Sequence, residues 1–533
     1  MIKKELLPLP LGIQSFSDLR ERGCLYVDKT KEIYNLISRG KVYFLSRPRR
    51  FGKSLFLSTI EAFFRGKKEL FRDLYISDKT DWNISYPVIK LDWTAIGHTT
   101  RDKMENGIIE ILKRIVETYN IEIKTDGNAA KVFEQVIFRL HEKTGLKVVV
   151  LIDEYDVPIL DNIEKPADIL ESIREFLQSF YRVLKACDEY LHFVFLTGVT
   201  RFAKVSVFSA LNNLVDITMD REYAAVCGWT QNEVEDNFDS YIELIAKENS
   251  AKKPEVLDML RYWYNGFSWD GSVFVYNPFS TLMLFMKKTF DNYWFSSATP
   301  EFLIKIIKDR NDIKYLLNPV EVNATSFDTF DFKTLDTKLL LFQTGYLTVK
   351  NVSKTRLGVP PVYVLGLPNS EVRNSLLEYM VSSYASFPLS DTVLLRDRMR
   401  KQIMDCNETA FEESVKELFA GIPYQLHIPK EAYYHSLLLL WLNLLGFEVQ
   451  AEVSTDKGRI DAVWIWDDHV VIAEVKFANE GDIVSLLQSA FMQIHKKEYY
   501  EHYNGNNRKV TLLAIGFTHK DIACKMEKLQ KYQ

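Results

Sequence analysis

The sequence predicts an α/β fold in which a parallel sheet flanked by helices is followed by a mainly helical stretch and then by a second, smaller α/β unit. Three observations predict it. Short apolar runs at 41–46, 88–91, 148–152 and 193–197 alternate with segments of helical spacing. The first of these runs leads into a Gly-Lys-Ser turn. Near the end of the chain a long apolar helix gives way to strand-like runs at 448–453, 459–465, 469–476 and 510–517, with a helix at 482–503.

At 533 residues the chain exceeds the roughly 250 to 300 at which one core stops growing, so several domains are expected. Apolar residues at 47% and charged residues at 26% leave no scope for a largely disordered chain. The net charge of −5 excludes bulk attraction to polyanions, so a nucleic-acid contact would need a local patch. Cys24, Cys187, Cys227, Cys406 and Cys524 lie far apart without metal-ligand spacing, which fits a reducing cytoplasm. The first fourteen residues hold too short an apolar stretch for a signal peptide. The longest apolar run, 436–447, falls short of the ~20 residues that span a bilayer and reads as a buried helix, so no membrane contact is expected. There is no internal repeat to suggest a solenoid scaffold.

Residues 41–46 form a strand, 47–54 (RPRRFGKS) a turn and 53–64 a helix. The turn matches the second half of GxxxxGK[ST]: amides around Gly52 cradle phosphates, Lys53 reaches the outer ones and Ser54 ligates Mg²⁺. Arg47 stands where the motif has its first glycine, and Pro48, Arg49 and Arg50 restrict the loop and add positive charge. A lone Gly-Lys-Ser is as readily a chance tripeptide. The buried strand 148–154 (VVVLIDE), ending in two carboxylates as a Walker B motif does, changes that: Asp153 would hold Mg²⁺ through its water and Glu154 would polarise the attacking water. The next strand ends at Thr197-Gly198, the place for a polar sensor, and Arg201 follows as a cation that could read the γ-phosphate or as an ordinary surface arginine. An arginine acting across an interface would demand a homo-oligomer. Asp156 and Asp161 read as solvated caps.

These patterns divide the chain into a P-loop core at 1–215, a mainly helical lid at 216–390, a helical connector at 391–428 and a final domain at 429–533. In the last, Asp461 and the Glu474-Val475-Lys476 triplet supply the set a PD-(D/E)XK nuclease site needs. Glu474 and Lys476 share one face of a strand, and Asp461 lies across one hairpin. Glu122-Ile123-Lys124 has the same spacing but no aspartate-bearing strand before it, and reads as solvated surface. His435 on an apolar helix reads as a core or rim residue. Residues 430–533 hold twelve Lys/Arg against fourteen Asp/Glu, which advertises no DNA footprint.

LPLGIQSF, YVDKT, FLSRPRRFGKSL, LIDEYDVPIL, LTGVTRFAKVSVFSALNNL, WYNGF, YNPFS, QTGYLT and LPNSEVR together resemble the AAA-ATPase-like family that is fused to PD-(D/E)XK nuclease-like domains. The resemblance covers nearly the whole chain. It implies a P-loop ATPase core with a helical lid, and makes the arginine at position 47 a habit of the family. It further implies that Asp461 and Glu474 hold metal, that Lys476 activates water, that Glu431 sits on the helix approaching the metal, and that Gln493 contacts substrate phosphate or orients the lysine. The expected function is ATP binding or hydrolysis that rearranges the lid and licenses Mg²⁺- or Mn²⁺-dependent cleavage of nucleic acid, DNA before RNA, in defence against mobile DNA or its maintenance. The alternative is a nucleotide-dependent switch whose nuclease-like domain binds without cutting.

Overall fold

A computed structural model of the chain describes residues 6–124, 127–201, 211–294, 301–310, 312–327, 336–353, 358–420, 430–453, 458–466, 469–478, 482–497, 509–518 and 521–529. The chain forms two compact units, residues 1–298 with 319–372, and residues 299–318 with 373–533.

In the first unit β1 (Val42–Ser46), β2 (Val88–Asp92), β3 (Val148–Asp153), β4 (Leu191–Gly198) and β5 (Val215–Asp216) form a parallel sheet in the order β2-β3-β4-β1-β5. Each of the four apolar runs is thus a strand, and the helix expected at 53–64 is α1 (Lys53–Phe64). On one face Val148, Val150 and Ile152 pack against α2 (Arg101–Tyr119), α3 (Ala129–Thr144) and α4 (Ala167–Ala186) through Ile108, Phe133 and Phe180. On the other, Phe193 and Phe195 meet Phe64 and Phe56 of α1. Both faces are covered, so β1 and β3 are buried along their whole length. Thr100 and Asn128 cap α2 and α3 by accepting from the third helical amide, and left-handed Asn120 and Gly145 end them. The parallel arrangement brings the carboxyl ends of β1, β3 and β4 to one edge, where ligands bind in such sheets.

The rest of the first unit packs α5 (Gln231–Glu248), α6 (Lys253–Tyr264) and α7 (Pro278–Lys287) around Phe238, Leu260 and Leu284, joined by Leu25 and Val27 from near the start of the chain. It also holds an antiparallel sheet of β6 (Val320–Asn323), β8 (Val362–Gly366) and β7 (Thr348–Val352), in that order. β8 (VYVLG) is a short apolar run and β6 (VEVN) alternates over only four residues, and neither is among the strands expected from sequence.

The second unit holds α8 (Leu389–Asp405), α9 (Glu408–Ala420) and α10 (Lys430–Leu445), then β9 (Glu448–Val453), β10 (Gly458–Trp466), β11 (His469–Ala478), α11 (Ile483–Lys497), β12 (Lys509–Thr518) and β13 (Ile522–Leu529). The sheet order is β13-β12-β11-β10-β9. Among the described strands of this sheet only β11 and β12 pair in parallel, which requires a crossover, and α11 supplies it. β13 was not foreseen. Its outer edge is covered by α9: Glu412 accepts from the Cys524 amide at 2.9 Å and Glu408 from the Met526 amide at 2.8 Å. Among the described residues no helix is long and apolar enough to cross a membrane.

One buried carboxylate ties the first unit together. Glu371 accepts from the Ser280 hydroxyl at 2.9 Å and the Trp294 amide at 2.7 Å. Burial pushes its carboxyl up to about 7 from the ordinary 4.5. The folded unit therefore holds a proton that the unfolded chain releases, so stability present at low pH is lost as pH rises from about 4.5 through about 7. Glu371→Gln keeps an acceptor oxygen and removes that loss. Its thermal midpoint should rise relative to wild type between about pH 5 and about pH 8; a pH-independent offset in the melting curves would reject this account.

Candidate functional sites

Between β1 and α1 the chain turns through left-handed residues at Arg50 (φ 70°) and Gly52 (φ 86°). Gly52 takes that conformation without steric cost and leaves the amides of the first turn of α1 facing outward, an arrangement that binds anions. Lys53 is buried. Its Nζ donates to the Pro48 carbonyl at 3.2 Å and lies 3.3 Å from Glu154 Oε1. Burial, followed by the neighbouring Glu154 charge, pushes the Asp153 carboxyl up to about 6, against the opposing pull of the nearby Ser54 hydroxyl and Lys53. Glu154 itself is left-handed at φ 50°, a strain of order ~1–3 kcal/mol that persists only where its surroundings enforce it.

Arg50, Gly52, Lys53, Ser54 and Glu154 border a cavity of about 490 Å³. Arg49, Arg50, Lys53, Ser54 and Glu154 provide polar lining, while Leu11, Tyr26, Trp229, Phe279 and Leu282 provide an apolar and aromatic wall. The Arg50 guanidinium lies 4.7 Å from the centre of the Phe279 ring. A second, polar hollow of about 370 Å³ is bordered by Ser54 and Asp153 together with Ser58, Glu61, Lys90 and Asp92.

Arg47 faces away from this cavity. It is fully buried, with Nη1 donating to the carbonyls of Ser46 and Thr218 at 2.9 Å and Nη2 to that of Tyr223 at 3.0 Å. Its guanidinium lies 3.8 Å over the Trp269 ring, and desolvation lowers it to about 10, so it stays charged at neutral pH. The neighbouring residues are held by the same distant segments. The Trp294 indole donates to the Arg49 carbonyl at 3.0 Å, and Phe51 packs edge-on against Phe267 and Trp269.

Behind the turn, Thr197, next to the end of β4, has a buried hydroxyl with no hydrogen-bond partner among the described residues. Arg201 does not line the cavity. It pairs with Asp216 at 2.7 Å, and its amide donates to Gln343 at 3.1 Å. Asp156, read from sequence as a solvated cap, is buried instead. It accepts from the amides of Val199 (3.1 Å) and Thr200 (2.6 Å) and from the Thr200 hydroxyl (2.6 Å), clasping the loop after β4 to the turn after β3. Burial, and then the Glu154 charge, pushes it up to about 6. Asp161 remains at the surface beside His98, 2.8 Å away.

In the second unit the antiparallel register sets Asp461 opposite Glu474. Glu474 is buried, and Lys476, two residues on, donates from Nζ to the Ser489 hydroxyl at 2.7 Å. Gln493 lies half-buried on α11, one turn beyond Ser489. Glu431 and His435 lie on α10. The side chains of Asp461, Glu431 and His435 fall outside the described residues. Among those described, no three or more His, Cys, Asp and Glu side chains gather to hold a metal, so the donor set rests on backbone register. Glu122 and Lys124 are exposed in a segment without a strand. Sequence reasoning missed the anchoring of Arg47, the wall formed by Leu11, Tyr26, Trp229 and Phe279, and the contact between Ser489 and Lys476. LPLGIQSF and YNPFS, already singled out as motifs, contain Leu11 and Phe279 and were the available signal.

Residues 10–208 match the family model described as predicted AAA-ATPase, and residues 429–527 match that of the PD-(D/E)XK nuclease superfamily. The chain is 37% identical over 523 residues, 96% of each chain, to a protein of Azotobacter chroococcum mcd 1 described as an uncharacterized protein in the vnfD 5′ region. Among solved structures, the Aeropyrum pernix Orc1 protein in complex with DNA matches over 66% of this chain and 91% of that one, at 12% identity and a TM-score of 0.24, too loosely to carry an argument.

Arg47→Gly, which would restore the glycine of the general motif, should weaken the protein. It strips three buried carbonyls of their donor and should lower the unfolding free energy by roughly 3 kcal/mol. Urea denaturation would measure this, and a change within about 0.5 kcal/mol would show that the guanidinium anchors nothing.

Proposed function

The chain belongs to the family of predicted AAA-ATPases that carry a PD-(D/E)XK nuclease-superfamily domain, and from that premise we propose that it binds and hydrolyses ATP and that its nucleotide state controls Mg²⁺-dependent cleavage of nucleic acid, DNA foremost. The observation that carries this reading is the convergence of Lys53, Ser54 and Glu154 beside a cavity with an aromatic wall, with Ser54 and Asp153 sharing the adjoining polar hollow. A nucleoside triphosphate has the complementary surfaces, a polyanionic tail and a flat base.

On binding, Lys53 would exchange Glu154 for the outer phosphates while the first amides of α1 face the inner ones, with Arg49 and Arg50 adding positive charge. Ser54 and Asp153 would hold Mg²⁺, which neutralises charge on those phosphates. Released from Lys53, Glu154 would orient and polarise the attacking water. The unpartnered Thr197 hydroxyl, on the strand between β1 and β3, suits a contact to that water or to the outer phosphate. Arg201 would act on the phosphates only by leaving Asp216, which links such a role to a rearrangement.

At the second site Asp461 and Glu474 would hold Mg²⁺ or Mn²⁺, which acts there as a Lewis acid toward the scissile phosphate. Lys476 would position and activate water, Gln493 would contact the phosphate, and Glu431 would approach the metal from α10. A nucleotide-gated nuclease suits defence against mobile DNA or its maintenance.

Cleavage of supercoiled, linear and single-stranded DNA and of RNA, with Mg²⁺ or Mn²⁺ and with or without ATP, tests this reading. Lys476→Ala should reduce cutting by about 100-fold or more while ATP affinity is kept. Lys53→Ala should weaken ATP binding at least about tenfold and alter the cutting rate. Wild-type protein that turns over ATP yet leaves every substrate intact would favour the non-cleaving switch.

A further inference from the structure

The nuclease reading gives Lys476 a chemical task but leaves open what holds its amine in place. A lysine ammonium is a compact charge at the end of a flexible four-carbon stem, and fixing such a side chain costs up to about 2 kcal/mol of rotamer entropy. A group that must meet a water beside a phosphate needs its position set to within about 0.5 Å. The strand fixes the Lys476 backbone but not its amine.

α11 supplies one such constraint. Its apolar face, Ala490, Phe491 and Ile494, packs with Val470 and Ile472 of β11 and Val510, Leu512 and Ala514 of β12. That packing sets the rotation of the helix over the sheet. Ser489, beside Ala490, then meets Lys476, its oxygen 2.7 Å from Nζ. The serine stem has a single rotatable bond before its oxygen, so the acceptor is as well fixed as the helix carrying it. Gln493 follows one turn later on the same side of the helix, which aligns Ser489, Gln493 and Lys476 along the junction of α11 and β11.

We propose that Ser489 is a positioning residue of the nuclease site, holding the Lys476 amine where it can address the attacking water. The proposal rests on the nuclease reading of Asp461, Glu474 and Lys476. Ser489 touches neither substrate nor metal in this role and acts only through Lys476.

The test uses the full chain and single-turnover cleavage with Mg²⁺ on whichever DNA or RNA the wild type cuts. Ser489→Ala should lower the maximal rate about tenfold with half-saturation by nucleic acid changed less than about twofold. Ser489→Thr, which keeps the hydroxyl, should recover to within about threefold of wild type. In a Lys476→Ala background Ser489→Ala should cost nothing more, because the two residues act as one unit. Full activity in Ser489→Ala, an effect on half-saturation alone, or an equal loss in both backgrounds would overturn the proposal. If the wild type cuts no substrate, the nuclease reading falls while the clamp is still judged by acylation of the Lys476 amine with an N-hydroxysuccinimide ester, read by mass spectrometry against exposed Lys68. Faster labelling in Ser489→Ala supports the clamp, and unchanged labelling removes it.

Discussion

Taking the Arg47 guanidinium out of water costs several kcal/mol, and the first unit offsets that with three carbonyl oxygens and one indole face, with no carboxylate in contact among the described residues. The partners come from Ser46, Thr218, Tyr223 and Trp269. Thr218 also accepts from the Ser46 amide through its hydroxyl at 3.0 Å, so the end of β1 is held twice by the same residue. The start of the phosphate turn is therefore shaped by segments about 170 residues and more downstream. A glycine at position 47 would relieve local sterics, whereas arginine replaces that freedom with an anchor on the side away from the cavity.

Because the anchor is remote, the turn and the segments beyond the sheet behave as one construction. Arg49 through its carbonyl, Phe51 through its ring and Pro48 through packing each meet a different downstream partner. Pro48 lies against Gly345, where an added Cβ would stand 2.7 Å from the proline ring. Such enclosure explains how Arg50 and Glu154 can both rest in left-handed conformations that are costly for residues with side chains. It also links the cavity wall to the turn. Movement of Phe279 or Trp269 would be felt at Arg50 or Arg47 through ring contacts already in place. A ligand filling that cavity would bear on Phe279 and Arg50 directly.

The parts of this arrangement that were legible in the sequence are those fixed by short-range rules. Gly52-Lys53-Ser54 opens a helix and Asp153-Glu154 closes an apolar strand, and both follow from local periodicity. Asp461 opposite Glu474 follows from one hairpin, so counting residues sufficed. Asp156 was misread because an aspartate just past a strand resembles a surface cap. Its burial depends on the loop at Val199 and Thr200 folding back onto it, a contact that spacing does not encode. Arg47 was placed in the turn correctly but its direction was hidden, since its partners are far away in the chain. Ser489 carried no signal, because a serine on a half-exposed helix is ordinary until Lys476 is seen beneath it.

The second unit faces a different demand, since its site depends on strand register. A one-residue slip of β11 would carry Glu474 and Lys476 to the opposite face together. The sheet's outermost strand on one side, β13, has free amides that could recruit another strand and pull on that register. α9 answers with geometry. Four residues of helix advance ~6 Å and two residues of strand ~6.6 Å, so Glu408 and Glu412, one turn apart, meet the amides of Met526 and Cys524, two residues apart. The bonds are charge-assisted and leave each amide satisfied without adding a strand. With β13 closed by side chains and β12 held between β13 and β11, the pairing that sets Glu474 opposite Asp461 is braced from that edge inward. A helix outside the Asp461–Lys476 motif thereby becomes a condition of the motif's geometry.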